Sequence, residues 1–110
     1  MPFTERRVTS HDNLSLYIRD YGDPLDHRAP LFCLGGLTRN SKDFESLAER
    51  YSSDGRRVIC PDYRGRGKSD YDNDWRNYDP RIYLRDIQDI LSALNVHHVV
   101  VVGTSLGGIL

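Results

Sequence analysis

Residues 99–110 read VVVVGTSLGGIL, and they set one hydroxyl among glycines at a fixed spacing. Gly103, Ser105 and Gly107 form G-x-S-x-G. A β-branched run precedes the motif and the helix-compatible LGGIL follows it, so Ser105 falls on a strand-to-helix turn. Small residues two places before and two places after let the backbone fold tightly around the serine. The hydroxyl is then presented at the edge of the sheet. The helix that begins there aims its N-terminus at the reacting group, which favours developing negative charge. The backbone N–H of Leu106 can donate to an oxyanion. This is the chemistry of a serine that attacks a carbonyl carbon and is acylated. The same serine could also be an ordinary N-cap of the next helix; the strand before it and the spacing favour the nucleophile.

Two other glycine-rich stretches imitate phosphate sites and fail on particular residues. GRGKS, residues 65–69, resembles the tail of a P-loop, but Asp62 stands where the first glycine belongs. A carboxylate there repels phosphate, and the following SDYDND is turn chemistry where a helix is needed. The expected role of Asp62 and Arg64 is therefore to tie a tight structural turn. VVGTSLGG lacks the second glycine of a dinucleotide fingerprint, because Ser105 occupies its place. It also has Ile109 where a P-loop needs lysine. No nucleotide cofactor and no metal are expected.

A serine hydroxyl needs a base. His11 falls in a hairpin turn, His27 in a polar loop, and His97 and His98 ahead of the last strand, at its end away from the serine. None is expected to reach Ser105. Asp86 and Asp89 read as charges on the solvated side of a helix.

The elements that position the serine follow from periodicity. RRVTS and LSLYIRDYG, separated by HDN, read as a β-hairpin over about 5–21 with polar alternation. LFCL and RVICPD are short buried strands, and HVVVVG a third. Phe44, Leu47, Ala48 and Tyr51 share a helical face, with Asn40 or Ser41 as cap and Gly55 as stop. Asp79 and Pro80 open a second helix, with Tyr83, Ile87, Ile90, Leu91 and Leu94 on one side. From about 31 to 103 the order is β-α-β-α-β, which predicts a mostly parallel sheet with helices on its faces. Ligands of such sheets bind at the carboxyl ends of the strands.

The 110 residues suffice for one small domain, with 15 basic against 16 acidic side chains and a net charge of −1. That balance recruits neither nucleic acid nor a membrane surface, and no apolar run approaches a bilayer span. The N-terminus lacks a secretory core. Cys33 and Cys60 sit in apolar runs and read as buried, reduced thiols, which points to the cytoplasm.

Three blocks in order carry a resemblance. LFCLGGLTRNSKDF resembles the third-strand and oxyanion-loop block of serine α/β-hydrolases. VICPDYRGRGKSD resembles their P-D-x-R-G-x-G-x-S block, and VVVVGTSLGGIL their nucleophile elbow. The resemblance implies the N-terminal portion of an α/β-hydrolase fold, a single incomplete domain over 1–110 that ends in the start of the nucleophile helix at 105–110. It implies Ser105 as nucleophile, with the N–H groups of Leu106 and Leu37 as oxyanion donors. Gly35 departs from the family's usual histidine, which removes packing from that loop. The family order places the acid and the histidine of the triad after Leu110, so the piece alone is expected to be inactive.

The implied activity of the complete protein is hydrolysis of ester, lactone or similar acyl bonds of a small-molecule substrate. A serine at the elbow argues against dehalogenase and epoxide hydrolase chemistry, and LGGLTRN does not match the loop of proline iminopeptidases. C–C hydrolases and cofactor-free haloperoxidases stay open. The alternative class is a non-catalytic binding or scaffold protein of this fold.

Overall fold

The computed structural model describes residues 3–35 and 44–103. Leu37, Ser105 and Leu106 lie outside them, as do the capping candidates Asn40 and Ser41 and the helix expected over 105–110. The described elements are β1 (Phe3–Thr9), β2 (Ser15–Tyr21), β3 (Leu31–Leu34), α1 (Glu45–Ser52), β4 (Val58–Pro61), a 3₁₀ turn (Trp75–Asn77), α2 (Pro80–Ala93) and β5 (Val100–Gly103).

The strands form one sheet in the order β1-β2-β4-β3-β5. The hairpin forms as expected, with Thr9 opposite Ser15, but without the polar alternation read from its sequence. Its turn closes through Asn13 N–H donating to Ser10 O at 3.0 Å, with Asn13 at φ 71°, a left-handed conformation that asparagine tolerates. β2 pairs antiparallel with β4, while β3 pairs parallel with both β4 and β5. The sheet is thus mixed: parallel through the β-α-β-α-β segment and antiparallel where the hairpin joins it.

The two faces follow from the period of two along short apolar strands. Phe32, Leu34 and Ile59 join Leu16, Ile18, Val8, Ile87 and Ile90 on the face covered by α2. Leu31, Cys33, Val58 and Cys60 join Tyr21, Phe44 and Ala48 on the face covered by α1. β3 and β4 are therefore buried on both sides, as their unbroken apolar runs required. β2 shows no alternation either, because β1 and β4 flank it and both faces are covered. Cys33 and Cys60 are free, buried thiols on neighbouring strands. The contact with Cys33, together with burial, pushes the Cys60 thiol far above the ordinary range, so it stays neutral.

The helices begin and end for local reasons. The Asp79 carboxylate accepts from Arg81 N–H at 2.8 Å, and Pro80 takes the first helical position. At the other end Asn95, at φ 56°, closes a Schellman motif. Its N–H donates to Ser92 O at 3.0 Å and Val96 N–H donates to Leu91 O at 2.9 Å. Leu91 and Val96 then pack together against the α2 face of the core. α1 stops at Gly55, whose φ of +90° suits glycine and whose N–H donates to Ser52 O at 2.9 Å.

β5 differs from expectation. Its valines read as a buried strand, yet Val100 and Val101 are 46% and 53% exposed. Burial on both faces needs neighbours on both sides, and among the described residues β5 pairs only with β3. A row of valines with free backbone groups is a template for pairing with another chain. Expressed as residues 1–110, the chain is expected to self-associate, with sedimentation showing a distribution of oligomers and no sharp thermal transition. A monomer with a cooperative melt would contradict the edge argument.

Candidate active site

The chain leaves β3 for β4 on one side, through α1 on one face of the sheet. It returns through α2 on the opposite face to β5, on the other side of β3. The direction of winding therefore reverses between β3 and β5. In open α/β sheets this reversal opens a crevice at the carboxyl ends of the two strands, and ligands bind there. The register sets those ends level: Leu34 lies opposite Gly103. The segment leading to Leu37 and the one leading to Ser105 thus depart from adjacent strand ends, about 4.8 Å apart in the sheet.

The loop after β4 borders this edge and is locked at successive residues. Asp62 N–H donates to Tyr17 O at 2.9 Å, and the Asp62 carboxylate accepts from Lys68 N–H at 2.9 Å. Ser69 Oγ donates to Asp62 O at 2.8 Å and accepts from Tyr17 N–H at 2.8 Å. Gly67 has φ +50°, and a Cβ there would collide with the Asp62 carboxylate. GRGKS is therefore a turn built around an aspartate. Its Lys68 N–H is already engaged, and the Lys68 ammonium lies 3.3 Å from Glu5. Tyr63 extends from this loop and donates its hydroxyl to Gly35 O at 2.8 Å.

Arg64 is fully buried, and its role goes beyond tying loop backbone. Its guanidinium grips Asp86 through two contacts, at 2.7 and 2.6 Å. It also donates to Asp12 at 2.8 Å and to Asp72 at 2.9 Å. One guanidinium thus faces three carboxylates, and neutral donors share the excess negative charge. Ser10 Oγ donates to Asp12, Asn77 Nδ2 donates to Asp72 at 2.8 Å, and Asp74 N–H donates to Asp72 at 2.9 Å. Arg64 holds the Asp12 carboxyl well below the usual carboxylate range. The Asp74 N–H and the Asn77 amide lower that of Asp72. Burial pushes the Asp86 carboxyl upward, against the pull of Arg64.

Asp86 is not the solvated charge the sequence suggested, and Asp89 is a half-buried partner of His11. Asp86 is 5% exposed on the core face of α2, where Arg64 compensates its charge. Asp89 accepts from His11 N–H at 2.9 Å and lies 2.8 Å from His11 Nδ1. Donor atoms of His11, Asp86 and Asp89 lie within 4.8 Å of one another, a spacing that could hold a cation. Both Asp86 oxygens are already held by Arg64, whose charge opposes one.

The other histidines lie away from the strand carboxyl ends. His27, His97 and His98 line an open depression of about 420 Å³ beside Pro30 and Asn95, at the amino ends of β3 and β5. His11, on the hairpin turn, is separated from β5 by three strand spacings, about 14 Å. Sequence reading missed Tyr63 and Asp86. For Asp86 a signal existed: it stands three residues after Tyr83 and four before Ile90, on the buried helical stripe.

The α/β-hydrolase fold profile matches residues 29–110, and the chain belongs to that family. It is 40% identical over 91 residues to the 3-hydroxybutyrate-oligomer hydrolase of Cupriavidus necator, covering 83% of this chain and 30% of that protein. An α/β hydrolase of Novosphingobium aromaticivorans superposes with a TM-score of 0.93 at 45% identity, over 98% of this chain and 37% of that one. The esterase of Exiguobacterium antarcticum superposes with a TM-score of 0.85 at 30% identity, over 96% and 37%. The chain spans about a third of the length of these relatives, which are hydrolases. Among the described residues, no helix is long and apolar enough to cross a membrane.

Replacing Arg64 with methionine strands Asp86 in the core without its counter-charge. The expected loss, in the complete protein, is about 3–5 kcal/mol by urea denaturation; a loss under about 1 kcal/mol would contradict the role given to Arg64. The Asp12 carboxyl titrates lower in the folded chain than in the unfolded one. It therefore contributes stability above its unfolded pKa of about 3.9, and that contribution disappears as pH falls through the lower folded value. Asp12→Asn is expected to make the fall of melting temperature below about pH 4 shallower. An unchanged acid limb would contradict the Arg64–Asp12 assignment.

Proposed function

We propose that the protein carrying this chain is a serine hydrolase acting on ester, lactone or similar acyl bonds of small molecules. The observation that carries this reading is the register of β3 and β5. It sets Leu34 opposite Gly103 at the point where the winding reverses, and G-x-S-x-G runs on from Gly103. The names of two relatives, a 3-hydroxybutyrate-oligomer hydrolase and an esterase, fit an acyl substrate.

In this reading the Ser105 hydroxyl attacks the substrate carbonyl carbon while a histidine base takes its proton. The carbonyl oxygen becomes an oxyanion that accepts from the N–H groups of Leu37 and Leu106. Collapse expels the alcohol, to which the histidine returns the proton. Water, deprotonated by the same histidine, then attacks acyl-Ser105, and as the acid is released the histidine returns that proton to Ser105 Oγ. The histidine and its acidic partner come from sequence following Leu110. In the same reading, residues 1–110 make up the first part of the hydrolase domain. The free, buried thiols fit a reducing compartment, and we place the protein in the cytoplasm.

In the complete protein, Ser105→Ala is expected to lower p-nitrophenyl acetate turnover by at least about a thousandfold. It should also abolish labelling by a fluorophosphonate. A folded protein that resists the probe, or an alanine variant that keeps its rate, would overturn the reading and leave a binding or scaffold role.

A further inference from the structure

We infer that Tyr63 is a positioning residue for the oxyanion-stabilising loop, holding through its hydroxyl the peptide from which that loop departs. The inference rests on the serine-hydrolase reading, with Leu37 as donor.

The sequence after β3 is Gly35-Gly36-Leu37. Successive glycines carry the greatest backbone freedom and have no side chain to anchor them. An oxyanion donor works because it is aimed before the reaction begins. A loop opening on two glycines therefore needs an anchor from elsewhere in the fold. The Gly35 carbonyl has one: it accepts from the Tyr63 hydroxyl at 2.8 Å. A peptide unit is planar, so fixing this carbonyl fixes the orientation of the whole unit that leads into the loop.

The anchor itself is rigid. Tyr63 is 8% exposed, and its ring packs on Tyr83 of α2 with centroids 5.4 Å apart. Arg66 N–H donates to Tyr63 O at 3.0 Å. Its chain neighbours are Asp62, bound to Lys68 N–H, and Arg64, bound to its carboxylates. A carbonyl can only accept, so the phenol must donate. Burial pushes the Tyr63 phenol up to about 12, which keeps that proton in place. The Arg64 cluster is thus linked to Gly35 through the Tyr63 hydroxyl.

Tyr63→Phe removes the hydroxyl and keeps the ring. The test uses the complete enzyme, with rates expressed per active site titrated by fluorophosphonate, so that partial unfolding does not enter the figure. The expected result is a kcat for p-nitrophenyl acetate lower by about tenfold, a fraction of the loss on removing an oxyanion donor outright. KM should change by less than about twofold. Affinity for a boronic acid, whose tetrahedral adduct places an oxygen in the same hole, should fall by the same factor as kcat. Tyr63→Phe with unchanged kcat and unchanged boronic acid affinity, beside an inactive Ser105→Ala, would overturn the role of Tyr63 and leave the serine mechanism standing. An active Ser105→Ala would instead overturn the hydrolase reading, and the inference with it.

Discussion

A guanidinium with no exposure to water is stable only where hydrogen-bond acceptors and counter-charges replace its hydration. The penalty for removing such ions from water is several kcal/mol each after relaxation, so geometry and additional hydrogen bonds must offset it. Arg64 meets that condition with partners 52, 8 and 22 residues away in sequence. Asp12 belongs to the hairpin turn, Asp72 to the loop after β4, and Asp86 to α2. Three segments distant in sequence are held at one point. If any one moves, a buried charge loses a partner, and this makes their arrangement specific as well as stable.

The consequence for the site is directional. The Arg64 cluster lies just past the carboxyl end of β4, at the edge of the sheet where β3 and β5 also end. From that edge Tyr63 reaches across to the backbone following β3. Hydrogen bonds and a ring stack thus form a continuous path from the hairpin turn and α2 to Gly35. A second buried carboxylate braces the opposite end of the hairpin. Asp20 accepts from Arg57 at 2.9 and 2.8 Å and from Arg6 at 2.6 Å, which joins β1 and β2 to the start of β4. The two ends of the hairpin are thus held by ion pairs, and the strand centres by apolar packing.

Much of this was legible in the sequence. LFCL and VICP are uninterrupted apolar runs, a pattern that only a strand covered on both faces requires. Asp79-Pro80 announced the start of α2 by its chemistry. Asp62 was expected to tie a tight turn, and its carboxylate closes that turn by accepting from Lys68 N–H. The misreadings share one cause: burial is a property of neighbours. The valines of β5 were read as buried from their type, but their exposure depends on what lies beside them. Asp86 was placed outside because it is charged, although its helical position was inside. No local pattern announces that an arginine 22 residues upstream will compensate it. The Tyr63 hydrogen bond joins residues 28 apart, and it too was invisible before the loops were folded.

The proposed role of the carboxyl ends of β3 and β5 is to present Ser105 to an acyl group. An acyl-enzyme is the chemical signature of that arrangement. Rapid acid quenching of the complete protein during turnover of an activated ester, followed by peptide mass mapping, measures it directly. The account predicts an added acyl mass on the peptide containing Gly103 to Gly107, localised to Ser105. Steady turnover with no adduct, or an adduct on a different residue, would contradict it.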